Sequence, residues 1–105
     1  EMKAGKLAEA EQHLLKSYEF DAGHPVTGYN LAELMYRRGD YTRAQFYIRR
    51  LNNGEFANAE SLWLGIRVER RLGARDAMQQ LGATLRKNFP NSIQLAAYER
   101  GEFND

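Results

Sequence analysis

The chain has 105 residues, 43% of them hydrophobic, and its 15 basic and 14 acidic residues leave a net charge of +1. That is the size and apolar content of one small globular domain rather than a disordered chain, and the near-neutral balance gives no electrostatic footprint for nucleic acid or an anionic membrane. The absence of cysteine excludes disulfides and thiolate chemistry, and no apolar run approaches the roughly 20 residues that span a bilayer.

Helical periodicity dominates from the start. The opening "EMKAGKLAEAE" is charged and helical, lacks an initiator Met and has no recognisable signal peptide. A piece of a longer protein is expected. Leu7, Ala10, Leu14 and Ser17 share one face of a first helix, over about residues 6–20, that ends near Asp21-Ala22-Gly23. Pro25 suits the first turn of a second helix, where its missing N–H costs nothing. That helix carries Leu31, Ala32, Leu34 and Met35 and stops at Gly39, a residue that tolerates the left-handed conformation of a helix end. Asp40 can N-cap the third helix, which carries Tyr41, Ala44, Ile48 and Leu51. "NNGEF" breaks the chain. Asn58 can cap a fourth helix with Leu62, Trp63, Ile66 and Leu72, stopping at Gly73. A fifth runs from about Arg75 to Lys87, and Ser92 can cap a short sixth, Ile93 to Arg100. No run alternates with period two, so the expected fold is all-α with about six helices and no strand.

The chain also resembles itself. "GKLAEAEQHLLKS" overlays "GDYTRAQFYIRRL" at a shift of 34, and Gly39 and Gly73 are again 34 apart. "NLAELM" overlays "WLGIRV" at a shift of 33, as though one residue were lost between units. The shift is the length of a tetratricopeptide repeat, a pair of antiparallel helices. Leu31-Ala32 and Leu64-Gly65 then fill the large–small pair of a first helix. Ala10, Ala44 and Ala77 fill the small position of a second helix, Gly39 and Gly73 make the turns, and Pro90 closes a unit. The expected organisation is a solenoid: residues 1–24 the second half of a repeat, 25–56 and 57–90 two whole repeats, and 91–105 a terminal capping helix and tail. Stacked units bury a core that none buries alone. An irregular six-helix bundle is the alternative.

The stretch "AESLWLGIRVERRLGARDAMQQLGATLRKNFPNS", residues 59–92, resembles the carboxy-terminal repeat of the type IV pilus biogenesis and stability lipoproteins, the PilF/PilW family of tetratricopeptide-repeat pilotins. The resemblance is carried by Glu60-Ser61-Leu62-Trp63-Leu64-Gly65-Ile66-Arg67, Glu69-Arg70-Arg71-Leu72-Gly73, Asp76-Ala77 and Phe89-Pro90. "YNLAELMYRRGDYTRAQFYIRRL" resembles the preceding repeat of the family. This resemblance implies an outer-membrane lipoprotein facing the periplasm that helps the secretin pore of the pilus machine to localise and assemble. The family's lipidated cysteine is absent from this stretch, so no anchor carries over.

No active site is expected. His13 and His24 lie on different elements without metal-ligand companions, and no Gly-rich phosphate loop, HExxH or GxSxG is present. No catalytic residue, cofactor or metal is expected, and the partner is a protein: the secretin or another pilus-assembly protein. In the repeat register read above, Tyr29, Glu33 and Tyr36 of one first helix and Leu62, Ile66 and Arg70 of the next face a groove suited to an extended or helical peptide. Chaperone-binding repeats clamp a carboxylate with Lys and Asn at such positions; Tyr29 and Glu33 argue against that clamp. Trp63 falls between core and groove in the overlay, with packing on the preceding second helix the expectation. Arg67, Arg70, Arg71 and Arg75 are read as a solvated face paired to Glu60 and Glu69, against an anion site as the alternative. The first helix, lacking its repeat partner, is expected to leave Leu15 and Tyr18 partly bare and to favour self-association. The rival functions are a generic cytoplasmic repeat scaffold and a regulatory helical domain of a larger enzyme.

Overall fold

A computed structural model describes residues 9–16, 18 and 24–103. Its elements are α1 (residues 9–16 and 18), α2 (Pro25–Arg37), α3 (Tyr41–Asn52), α4 (Ala59–Arg71), α5 (Arg75–Asn88) and α6 (Ile93–Arg100). Among the described residues there is no strand. The expected first-helix contributions of Gly5, Leu7 and Ser17, and the stop at Asp21-Ala22-Gly23, lie outside the described residues.

Local chemistry sets the boundaries. Pro25 opens α2. Gly39 ends it at φ 82°, its N–H donating to the Tyr36 carbonyl while the Asp40 N–H donates to Met35. These two bonds close the helix in the Schellman pattern. Asp40 then accepts the Arg43 N–H at 3.3 Å and starts α3, so one Gly-Asp pair stops one helix and begins the next. The second turn repeats the first: Gly73 has φ 74°, and Gly73 and Ala74 donate to the Arg70 and Glu69 carbonyls. Asn58 and Ser61 form a reciprocal capping box on α4, and the Ser92 hydroxyl accepts the Leu95 N–H at 3.1 Å on α6.

Two apolar clusters share α4. The first joins α2, α3 and α4 through Leu31, Ala32, Met35, Ala44, Ile48, Leu64 and Val68. The second joins α4, α5 and α6 through Leu62, Trp63, Ile66, Leu85 and Leu95. Burying each large aliphatic side chain contributes about 1.5–3 kcal/mol. Because α4 serves both clusters, Ser61 through Ile66 are buried without a break.

The repeat register differs from the overlay at 33. The buried residues of α2 are Gly28, Leu31, Ala32, Leu34 and Met35; a shift of 34 carries them onto Leu62, Gly65, Ile66, Val68 and Glu69, all buried. The overlay matched Leu-Ala to Leu-Gly by residue type. A one-residue slip rotates every position by about 100° round the helix, so the match put the wrong faces together. The counterpart of Ala44 is therefore Met78, not Ala77, and Ala77 is only half-buried. Large and small residues trade places between units. Gly65 stands where Leu31 stands, and a Cβ there would lie 2.8 Å from Asn52 and 3.1 Å from Leu81, so α3 and α5 both close on it. Gly82 stands where Ile48 stands and gives its space to the Tyr98 ring, 2.5 Å from an added Cβ.

Ala44 is fully buried in the first cluster. Ala44→Leu is expected to cost about 1–3 kcal/mol by overpacking. An unchanged thermal midpoint would mean that the α2–α3 contact has room for the larger side chain.

On α1, Leu14, Leu15 and Tyr18 all pack against the first cluster, and Tyr18 sits edge-on to Tyr47 at 5.2 Å. Leu15 and Tyr18 are half-buried, so they are left partly bare as expected, but Tyr18 also reaches α3. Ala10 is half-buried. Glu11 pairs with Arg38 at 2.8 Å and Arg43 at 3.0 Å. The Arg38 hydrogen bond, with the charges of both arginines, outweighs partial burial and holds the Glu11 carboxyl below its ordinary range.

Candidate protein-binding surface

Helices α2 and α4 are in contact, and the shift of 34 aligns their remaining faces. It pairs Tyr29 with Trp63, Glu33 with Arg67 and Tyr36 with Arg70. Tyr29, Glu33 and Tyr36 are half-buried, Arg67 is half-buried and Arg70 exposed. Of the six groove residues expected from sequence, four therefore occupy this surface. Leu62 and Ile66 do not: they are 1% and 0% exposed, inside the second cluster. Their misassignment follows from the one-residue slip. The residue it missed is Arg67, which the Gly39-to-Gly73 spacing would have found.

The surface is built from rings and guanidinium groups. Arg67 lies 5.3 Å over the Tyr36 ring and 5.6 Å from that of Trp63. Arg71 lies 5.5 Å over Tyr41, whose ring meets Tyr36 edge-on at 5.4 Å. Such contacts fix long side chains that would otherwise roam. The Arg67 Nε and the Tyr36 hydroxyl are buried with no hydrogen-bond partner. Tyr29 sits among charges. Its phenol pKa is pushed up first by burial, then by the negative charges of Glu33 and Glu60, against the opposing pull of Arg67 and Arg37. Glu33 forms an ion pair with Arg37 one turn on.

Trp63 is 9% exposed. Its ring stacks on Phe103 at 5.6 Å and 16°, so it faces the α6 end rather than the preceding second helix. Glu69 also departs from expectation. It accepts hydrogen bonds from Arg49 and Gln45 of α3 while 1% exposed. Leu31, Ala32, Ala44 and Leu64 are fully buried, Gly39 and Gly73 form the two turns, and Pro90 is exposed in the α5–α6 connection. His13 and His24 are exposed. Among the described residues, no three His, Cys, Asp or Glu side chains are grouped to hold a metal ion, and no helix is long and apolar enough to cross a membrane.

No family model matches the sequence. The chain is 29% identical, over 94 residues, to the type IV pilus assembly protein PilF of Pseudomonas aeruginosa, an alignment covering 90% of this chain and 37% of that protein. The solved structure of Pseudomonas aeruginosa PilF matches 95% of this chain and 45% of its own, with TM-score 0.78 and 27% identity. The crystal structure of PilW, a widely conserved type IV pilus biogenesis factor, matches 91% of this chain and 44% of its own, with TM-score 0.80 and 28% identity. The chain thus spans less than half the length of these relatives. The resemblance drawn from residues 59–92 holds in sequence and in fold: the chain is similar to the PilF and PilW type IV pilus proteins and shares their tetratricopeptide-type all-α fold.

Proposed function

We propose, starting from kinship with the PilF and PilW type IV pilus proteins, that this chain is a non-catalytic protein-interaction module of type IV pilus biogenesis. In the parent protein it assists assembly of the outer-membrane secretin, or stability of the pilus, from the periplasmic face of a membrane to which a lipid anchors the parent. The repeats at 25–56 and 57–90 form the binding unit. One observation carries this reading: the α2–α4 face gathers rings and cations that stay partly open to solvent, Tyr29, Tyr36 and Arg67 half-buried and Arg70 exposed, with Arg67 over the Tyr36 ring. Aromatic and arginine side chains are the residue types that dominate binding energy at protein interfaces, each anchor contributing about 2 kcal/mol or more when buried at the centre.

The test is a pull-down from envelope extract using the full-length parent, with partners identified by mass spectrometry. Arg67→Glu reverses a charge on the proposed face; Lys87→Glu, on exposed α5, is the control. The expected result is loss of pilus-assembly partners with Arg67→Glu alone, both variants keeping the parent's helical spectrum. Retention of every partner by folded Arg67→Glu, or loss only with Lys87→Glu, would move the binding site elsewhere.

A further inference from the structure

The short segment after α6 returns across α4. Gly101, at φ 73°, reverses the chain, and the Glu102 N–H donates to the Ala97 carbonyl at 2.9 Å. This brings the Phe103 ring onto the face described above. It stacks on Trp63, meets Tyr98 edge-on at 6.4 Å, and lies 4.5 Å beneath the Arg70 guanidinium. Phe103 remains half-exposed. Its neighbour Glu102 turns to Arg100, 3.2 Å away. The segment's sequence, "GEFND", is an aromatic residue in an acidic setting, and the α4 face it meets carries Arg67, Arg70 and Arg71, with Arg75 following at the turn.

We propose that the α4 surface around Trp63 and Arg70 is a docking site for an acidic segment of a partner protein that carries an aromatic side chain, with Phe103 as the resident occupant that the partner displaces. The inference rests on reading the α2–α4 face as a protein-binding surface, and it adds the chemistry of what binds there. Three features support that chemistry. The Trp63 indole offers a flat apolar face to one ring. Arg70 lies over that same ring, as a cation does over a π-system. The positive charge of the neighbouring arginines suits carboxylates flanking the ring, which guanidinium forks accept in two-point contacts. An internal occupant lowers apparent affinity in proportion to the time it fills the site, so its removal should expose the site to a segment supplied from outside.

The experiment uses the chain's own segment as the probe. A fluorescein-labelled peptide with the sequence of residues 98–105, YERGEFND, is titrated by anisotropy into the parent chain and into Phe103→Ala. Emission of Trp63, the only tryptophan, is followed with unlabelled peptide. Phe103→Ala should bind the peptide at least about tenfold more tightly than the parent, and peptide should restore the parent's Trp63 emission. Arg70→Glu in the Phe103→Ala background should abolish binding, as should the peptide with alanine for phenylalanine. If Phe103→Ala loses helicity, Phe103→Leu, which keeps apolar bulk without the ring face, gives the same comparison. No binding by a folded Phe103 variant, or equal binding of the alanine peptide, overturns the proposal. The Arg67→Glu pull-down is independent of Phe103: partner loss there without peptide binding here would remove this occupant and leave the binding face standing.

Discussion

Ile66→Ala should be the most destabilising single truncation on α4, at about 2–5 kcal/mol. Ile66 is fully buried among Leu62, Trp63, Leu85 and Leu95, and its removal leaves a cavity where α4, α5 and α6 meet. A small domain has only about 5–15 kcal/mol of stability in total, so the loss is a large part of it. Urea unfolding followed by circular dichroism measures it. The same side chain on an open groove would cost no more than about 0.5 kcal/mol. The experiment therefore separates the two registers directly: a shift of 34 makes Ile66 core, and a shift of 33 makes it surface. An Ile66→Ala midpoint equal to the parent's would restore the discarded register.

The second large effect comes from a buried carboxylate. Glu69 stands at the position that Met35 holds in the preceding unit, yet it is as buried as an apolar residue. Its carboxylate accepts Gln45 Nε2 at 2.7 Å and Arg49 Nε and Nη2 at 2.7 and 3.2 Å. The hydrogen bond to Glu69 is in turn the main cause that raises the Arg49 pKa, against partial burial. Arg49→Ala would leave the carboxylate inside the protein with Gln45 alone. The expected loss is about 2–4 kcal/mol, short of the cost of breaking a fully buried pair because Arg49 is half-exposed. Glu69→Met, copying the preceding unit, should hold or raise stability, since Arg49 can turn to water while the methionine fills apolar space. A Glu69→Met variant less stable than Arg49→Ala would mean that the ion pair does more for the α3–α4 contact than its desolvation costs.

Where the chain itself announces a boundary, the sequence was enough. Gly39-Asp40 stops one helix and caps the next, Asn58 and Ser92 cap as their side chains allow, and α6 runs from Ile93 to Arg100 as read. These are local events, fixed by residues within a turn of one another. The all-α repeat fold was legible for the same reason, because Gly39 and Gly73 recur at one repeat length. The proposed binding face was legible on α2 and, on α4, only at Arg70. On α4 the choice of register lay between a matched Leu-Ala/Leu-Gly pair and a matched glycine turn, and residue type misled. Gly65 is small because Ile48, Asn52 and Leu81 crowd it from two helices, a demand no single repeat displays. Glu69 reads as a surface carboxylate until Arg49 and Gln45, 20 and 24 residues away, are seen beside it. Phe103 escaped notice because its role depends on Gly101 turning the chain back onto Trp63, a contact between residues 40 apart in sequence.

The most direct measurement is the count of surface pili on cells lacking the parent gene and supplied with variant copies at matched protein levels. Parent and Lys87→Glu should restore pili equally. Arg67→Glu combined with Arg70→Glu, which reverses both cations that the structure sets on the rings of the α2–α4 face, should leave cells with few or none while the protein stays folded. Full piliation with the folded double variant would contradict the assignment of pilus biogenesis to this face.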